Sequence, residues 1–341
     1  MGYSNLGTPP HFPRKLYPRK LQLFPGNIHL VGPPEVGKSC LIFYYLKGEW
    51  KEKKWVYIDT HHPRYVSNWK EIPRAELVII DNYTPSIQFP LTIPTILISS
   101  PNIPTPPQFR RVEIGGLDWD EFLHFYTHLG SKKERLLGKY LTIGLLPGAV
   151  GLDLYHWEKY HFWLRDRLSP HRELLTAIFR NGGSRTSLYQ LYLQLKKEIP
   201  ISKDTVYGEI ERLEEEGIIY PVPKWNSPNA PKKYFLYTPS FIRLSGGNSF
   251  PNILANFYYL HRLKGKEVYY REDLTFYLPD QAKGVIVTSF PNWKELYKLI
   301  SRLKGVKKVE IWSYQKGEIK EEIVGKIKVS IYPLDALFVE E

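Results

Sequence analysis

Cysteine is nearly absent from the chain: Cys40 stands alone in 341 residues, beside a single methionine. One thiol excludes an internal disulfide and any cysteine-built metal cluster. No apolar run approaches the ~18 residues that cross a bilayer as a helix, so no membrane partner is expected. The opening stretch, MGYSNLGTPPHFPRKLYPRK, lacks the apolar core of a secretory signal, and a cytoplasmic location is the expectation. There is no fixed-period repeat and no low-complexity segment, which sets solenoids and repeat arrays aside. Nor is charge of one sign concentrated anywhere. The formal net charge is +12, but it is spread along the chain, with one local cluster at Arg14-Lys15 and Arg19-Lys20. A basic balance permits an acidic partner such as nucleic acid, whereas a diffuse excess serves solubility first.

What is present is the composition of a globular protein, 43% hydrophobic and 24% charged. The length is too great for one ordinary core, so two or three domains are expected. Scarce Cys and Met beside 28 Pro and 25 Tyr also suit a heat-adapted protein.

The first third alternates short apolar runs with loops and helices. NIHLV (27–31), KWVYID (54–59), AELVIID (75–81), TILISS (95–100) and RRVEIGG (110–116) read as buried strands, and KSCLIFYYLK (38–47) as a helix ended by Gly48. Continuous apolar strands spaced by helices indicate a parallel α/β sheet covered on both faces. LDWDEFLHFYTHL (117–129) opens a helical stretch with Asp118 as N-cap, and residues 131–170 continue as aromatic-rich helix broken at LLPGAVGLD.

Between the first strand and its helix lies Gly32-Pro33-Pro34-Glu35-Val36-Gly37-Lys38-Ser39, followed by Cys40. This satisfies G-x-x-x-x-G-K-S/T, the Walker A pattern. Its glycines let backbone amides turn inward around a phosphate, and the helix that follows aims its positive end at the anion. Lys38 then reaches the β- and γ-oxygens, and Ser39 ligates Mg²⁺. The bland reading is a glycine turn with an exposed lysine. A magnesium site also needs an acidic strand end, and Asp81 closes LVIID at the same edge of the sheet. Many hydrolytic relatives of this pattern carry Glu directly after that Asp, to take a proton from attacking water. Here Asn82 stands there, and an amide orients water without accepting its proton. Either another carboxylate substitutes, with Glu35 and Asp59 as candidates, or turnover is slow and the nucleotide acts as a switch. Ser99 and Ser100 are candidates for the γ-phosphate side. Arg110 and Arg111 are candidates for charge stabilisation of the transferring phosphoryl group, with Arg111 preferred; a solvated surface role is the alternative for both. No guanine-reading N-K-x-D phrase occurs, which favours ATP.

From Pro170 the pattern changes to helix, helix, helix and hairpin. HRELLTAIFRNG, SLYQLYLQLKK and ISKDTVYGEIERLEEEGII are the helices, the third capped by Ser202 and ended by Gly217. YPVPKW and KKYFLYT flank the turn NSPNAP. That order is the winged form of the helix-turn-helix, in which the third helix enters the major groove of DNA. Lys203, Thr205 and Tyr207 would then face bases, and Lys232 and Lys233, with Lys224, would flank the wing. The acidic second half of that helix, from Glu209 to Glu216, opposes a close approach to phosphates. The last part, from about Asn252, reads as a small α/β domain: the helix ILANFYYLHRLKG, strands at EVYYRED, TFYLPD and GVIVTSF, the helix WKELYKLISRLKG, and strands at KVEIWSY and KVSIYPL.

These pieces together resemble the bacterial and archaeal AAA-type P-loop ATPases related to the Orc-like branch. In that family the ATPase module precedes a winged helix and a restriction-endonuclease-like domain. The family's GPRQVGKTT is similar to GPPEVGKSC, its PLSFxEF to the end of FRRVEIGGLDWDEFL, and its GGYPE to GLLPGAV. Its ISxxTVxxYLxxLEEAGLI resembles ISKDTVYGEIERLEEEGII, followed by PKKYFLYTPSF. The resemblance covers roughly residues 15–338. It implies a P-loop NTPase core over 1–130, a helical lid over 131–169, a winged helix over 170–245 and a nuclease-like α/β domain over 250–341. It further implies ATP and Mg²⁺ as cofactors and DNA, a protein or a second copy as partner. The nuclease-like part departs from the family's acidic pattern, with Ala255 for a Glu, Thr275 for an Asp and Thr288 or Ser289 for a Lys. Glu272, Asp273 and Asp280 remain nearby, but metal-dependent cleavage is not expected. Three readings stay open: an ATP-binding switch or slow ATPase, an efficient DNA-stimulated ATPase, and a DNA-binding regulator with a vestigial nucleotide site.

Overall fold

The computed structural model describes residues 3–4, 13, 15–61, 75–87, 92–127, 136–247, 249–315 and 317–338. The chain divides into two compact units. One comprises Met1–Leu117 with Leu146–Gly148 and Glu215–Ile218; the other comprises Asp118–Leu145, Ala149–Glu214 and Ile219–Glu341.

The first unit is a six-stranded sheet built from β1 (Tyr3–Ser4), β2 (Ile28–Val31), β3 (Trp55–Asp59), β4 (Leu77–Asp81), β5 (Thr95–Ser99) and β6 (Arg110–Glu113). The order is β1-β3-β4-β5-β2-β6, and every neighbouring pair is parallel. β2, β4 and β5 are buried along their whole length, as strands covered on both faces require. Ile79, Ile80, Leu97 and Ile98 are fully buried, each contributing roughly 1.5–3 kcal/mol by leaving water. The five strands read from the sequence are all present, trimmed by one to three residues. β1, too short for a periodic signal, was not expected.

Helix α1 (Lys38–Lys47) follows β2. It starts after Gly37, whose φ of 92° only glycine adopts easily, and stops at Gly48, whose amide reaches the carbonyls of Tyr44 and Tyr45 at 3.1 and 3.2 Å. Leu41, Ile42, Tyr45 and Leu46 are its buried residues, with Phe43 beside them.

In the second unit, α2 (Trp119–Thr127) begins with a capping box. The Glu121 amide donates to Asp118 Oδ1 at 2.8 Å, and the Asp118 amide donates to Glu121 Oε2 at 3.2 Å. The aromatic-rich stretch resolves into α3 (Leu136–Ile143) and α4 (Leu154–Leu168), with residues 128–135 outside the described ones. Then come α5 (Arg172–Arg180), β7 (Arg185–Thr186), α6 (Leu188–Leu195), α7 (Lys203–Glu215), β8 (Ile219–Val222) and β9 (Lys232–Leu236). The three strands form one antiparallel sheet in the order β7-β9-β8. Ser202 caps α7 by accepting the Thr205 amide at 3.0 Å, and Gly217 takes a φ of 68° just past its end.

After α8 (Ser240–Leu244) and α9 (Phe250–Tyr258), whose last turn is π-helical over Tyr259–Leu263, a five-stranded sheet closes the chain. Its strands are β10 (Phe276–Leu278), β11 (Lys283–Thr288), β12 (Lys308–Ser313), β13 (Lys320–Val324) and β14 (Ile327–Pro333), with α10 (Trp293–Ile300) between β11 and β12. The order β10-β11-β12-β14-β13 mixes a parallel centre with antiparallel edges. EVYYRED, read as a strand, is not one: only Tyr269 and Tyr270 make isolated bridges. Asn256 on α9 is fully buried and pairs with β9, its Oδ1 accepting the Leu236 amide and its Nδ2 donating to the Leu236 carbonyl, both at 2.7 Å.

Candidate functional site

Parallel strands end together, so β2, β4 and β3 deliver their C-terminal residues to one edge. Register pairs Asp59 with Asp81 there. The loop after β2 is bent to a specific shape. Glu35 and Gly37 both have left-handed backbones, at φ 62° and 92°. Alternating left-handed residues turn successive amides to one side and make a concave anion seat. A side chain at Gly32 is impossible, because a Cβ there would lie 2.2 Å from the Ile114 carbonyl oxygen.

Lys38 folds back over this seat. Its Nζ donates to the carbonyls of Gly32 and Pro33 at 2.7 and 2.8 Å. Burial lowers its pKa to about 8, against the opposing pull of Asp81 and Glu35. The ammonium thus rests on two neutral carbonyl oxygens.

Ser39 Oγ donates to Asp81 Oδ2 at 2.6 Å. The same oxygen accepts a very short hydrogen bond from Tyr57, while Oδ1 accepts the Asn82 amide at 2.9 Å. Burial and the Asp81 charge hold the Tyr57 phenol protonated far above its ordinary range. Ser39 and Asp81 thus present two hard oxygen donors side by side, a set that suits Mg²⁺ completed by water and phosphate oxygens. Among the described residues no group of three or more His, Cys, Asp or Glu forms a metal cage. The residues fit a metal that arrives with a phosphate ligand. Cys40 is exposed on α1.

Asn82 sits at φ 57°. Its Nδ2 donates to Asp59 Oδ1 at 2.8 Å, and its carbonyl accepts Thr60 Oγ1 at 2.6 Å. The position after Asp81 is therefore locked onto Asp59, the carboxylate read from the sequence as a candidate base.

Other candidates are committed elsewhere. Ser99 is buried, bonded to His29 Nε2 at 2.7 Å and to the Ser100 carbonyl at 3.0 Å, so its hydroxyl faces into the sheet. Arg111 pairs with Glu113 at 3.1 Å and donates to the carbonyl of Pro101 at 2.7 Å, bracing the loop after β5. Arg110 is exposed. The residue that sequence reasoning missed is Arg19. Its guanidinium donates to the Val36 carbonyl at 2.8 Å and to those of Gly115 and Gly116 at 3.1 and 3.2 Å, clasping the back of the loop. The Arg19-Lys20 cluster was its only signal, and that cluster reads equally as surface charge.

In the second unit, Lys203 and Tyr207 are exposed at the start of α7, the ammonium 5.4 Å from the Tyr207 ring centre. Thr205 shares a 2.8 Å bond with Ser202. The lysines of the hairpin are less available than the sequence reading held. Lys232 lies 3.9 Å from Glu214, Lys233 lies over the Tyr270 ring at 5.0 Å, and Lys224 pairs with Glu272 at 2.7 Å. Adjacent strand residues point to opposite faces, so Lys232 and Lys233 leave the hairpin on opposite sides. Burial lowers the Lys233 pKa.

No family model matches the chain, and no curated protein matches it. Among solved structures it is similar to a Walker-type ATPase of Pyrococcus abyssi, at 14% identity and a TM-score of 0.42, over 64% of this chain and 90% of that one. A likeness at that score decides nothing about chemistry. The parallel α/β sheet is consistent with a P-loop NTPase-like fold, and the loop after β2 supplies the local geometry.

Proposed function

We propose that the chain binds ATP with Mg²⁺ at the loop spanning Gly32 to Ser39 and works as a nucleotide switch or slow ATPase. The observation that carries this reading is the Ser39–Asp81 pair at 2.6 Å, set beside a left-handed loop and a desolvated lysine. Loop amides would cradle a β-phosphate, Lys38 would leave its carbonyls for phosphate oxygens, and Ser39 and Asp81 are the residues that would hold the metal. A Mg²⁺ held there would supply positive charge to offset that of a transferring phosphoryl group. Asn82, tied to Asp59, orients a water without taking its proton, and slow turnover follows. Adenine is preferred over guanine on the strength of the family resemblance.

In the finer form of this proposal, residues 1–130 are the ATPase core, 131–169 a lid, 170–245 a winged helix and 250–341 a nuclease-like domain. Exposed Lys203 and Tyr207 support a DNA-contacting role for α7. A non-cleaving last domain is supported by how its acids are used. Glu272 is bound by Arg185 at 2.8 Å and Lys224 at 2.7 Å, and Asp273 by Arg271 at 2.8 Å. Thr275 Oγ1 accepts the Val287 amide at 3.0 Å.

A ligand that binds only the folded state stabilises it by RT ln(1 + [L]/Kd), about 2.7 kcal/mol at a hundredfold excess over Kd. Mg-ATP is therefore expected to raise the melting temperature, and Lys38→Ala to abolish that rise. An equal rise in the variant refutes the assignment.

A further inference from the structure

We propose that the second unit carries a separate ligand site, a cleft for a phosphate monoester borne on a planar ring, of the size of a nucleoside monophosphate. The cleft is a cavity of about 500 Å³ whose charged and aromatic walls are Tyr258, Arg262, Lys266, Lys283, Glu310, Trp312 and Tyr332. That volume is within the usual range for small-molecule sites. Arg262 lies in the π-helical turn Tyr259–Leu263. Such turns widen a helix locally, re-aim its side chains and recur at functional sites.

The charges in the cleft do not cancel. Glu310 is the acid among its lining residues, and its oxygens are already taken. They accept Lys283 Nζ at 3.0 Å, the Tyr258 hydroxyl at 3.0 Å and Trp312 Nε1 at 3.2 Å. Lys283 is neutralised by that bond, while Arg262 is not. Its Nε is buried with no hydrogen-bond partner among the described residues, and its guanidinium carbon lies 5.9 Å from the centre of the Trp312 ring. Arg262 as a whole is half-buried, and its guanidinium carries a charge that no carboxylate in the cleft offsets; an anion entering the cleft offsets it. The guanidinium fork of Arg262 with the exposed ammonium of Lys266 matches the several oxygens of a phosphate better than a lone carboxylate.

The wall beyond this charge is flat and apolar. Trp312 stacks on Tyr332 at 4.4 Å between centroids and 11° between planes, and Leu263, Leu278, Ala336 and the exposed Ile319 are its apolar lining. Trp312 is itself buried, so a planar ring would meet the half-buried Tyr332 that stacks on it, with its phosphate at Arg262. All of these residues belong to the second unit, so the site does not depend on the phosphate loop.

The test uses the full chain carrying Lys38→Ala, which separates this site from the loop. Calorimetric titration with AMP, GMP, CMP and UMP is expected to show one saturable site for at least one of them, with the same affinity in the Lys38→Ala protein as in the unaltered chain. Arg262→Gln and Lys266→Gln are each expected to weaken it about tenfold or more, the loss typical of a charged hydrogen bond. The matching nucleoside and inorganic phosphate, titrated separately, are expected to bind more weakly than the monophosphate. Lys266→Gln, at an exposed position, serves if Arg262→Gln does not fold. No heat with any monophosphate at millimolar concentration overturns the proposal, as does unchanged affinity in a folded variant. Phosphate binding as tightly as the nucleotide overturns the role of the aromatic wall.

Discussion

Removing the Tyr57 hydroxyl probes the candidate metal site without touching a group assigned to phosphate. Tyr57 is buried, and its hydroxyl donates to Asp81 Oδ2, the same oxygen that receives Ser39. Tyr57→Phe keeps the ring and its 5.2 Å contact with Phe43, so packing is preserved. It removes one hydrogen bond to a carboxylate, worth about 1.5–3 kcal/mol. In a protein with units of this size, that corresponds to a fall of roughly 4–10 °C in melting temperature without ligand. The effect with Mg-ATP has the opposite sign. An Asp81 released from Tyr57 is a stronger acceptor for the metal and its water shell, so the stabilisation added by Mg-ATP increases and recovers part of the loss. The assay is thermal unfolding of both proteins across a Mg²⁺ series at fixed ATP. A variant as stable as the parent without ligand shows that the hydrogen bond contributes nothing. Equal loss with and without Mg-ATP shows that Asp81 does not serve the metal.

Asn82→Glu alone is expected to give little acceleration of ATP hydrolysis, because the new carboxylate would stand where an amide now donates to Asp59 at 2.8 Å. Paired with Asp59→Asn it relieves the repulsion, and phosphate release is expected to rise about 10²-fold, a typical general-base contribution; equal rates for the double variant and the parent contradict this. Acid is expected to destabilise the fold early. Burial lowers the pKa of His29 to about 4 and of His161 to about 3. A histidine whose folded pKa lies below its unfolded value of ~6.5 favours folding fully above that value. Its contribution is lost as pH falls through the window down to the folded pKa, on the order of 3 kcal/mol each. Denaturant titrations from pH 7 to 4 check this, and a flat profile above pH 4.5 refutes it. Asn256→Leu strands the amide and carbonyl of Leu236 in the core and is expected to cost about 2–5 kcal/mol, read from the urea midpoint; a loss below 0.5 kcal/mol would show that water replaces the pair.

The parallel sheet was legible because its strands are continuous apolar runs closed by Asp59, Asp81 and Ser99, and the loop because its pattern is tied to one backbone shape. Helix α1 matches its sequence reading residue for residue, since glycines stand at both ends. What stayed hidden depends on contacts across the chain. Arg19 reaches Gly115 and Gly116, 96 and 97 residues away, and no local pattern signals that. Tyr57 looks like any core aromatic until its hydroxyl is seen to reach Asp81, two positions beyond its register partner Ile79. Ser99 ends its strand one residue before the expected Ser100, and a buried His29 on the neighbouring strand holds its hydroxyl in a core bond. Likewise, β13 carries the exposed Ile323 amid charged residues and shows no clean alternation, so an edge strand passed unread.

The central claim is that the loop from Gly32 to Ser39 holds a nucleotide triphosphate, with Lys38 exchanging carbonyls for phosphate. Calorimetric titration of Mg-ATP near pH 8, repeated in buffers of different ionisation enthalpy, tests it most directly. One site per chain is expected, with net proton uptake, because a lysine poised at about pH 8 becomes fully charged against phosphate. No heat with either Mg-ATP or Mg-GTP, at concentrations well above those that stabilise such sites, contradicts the account.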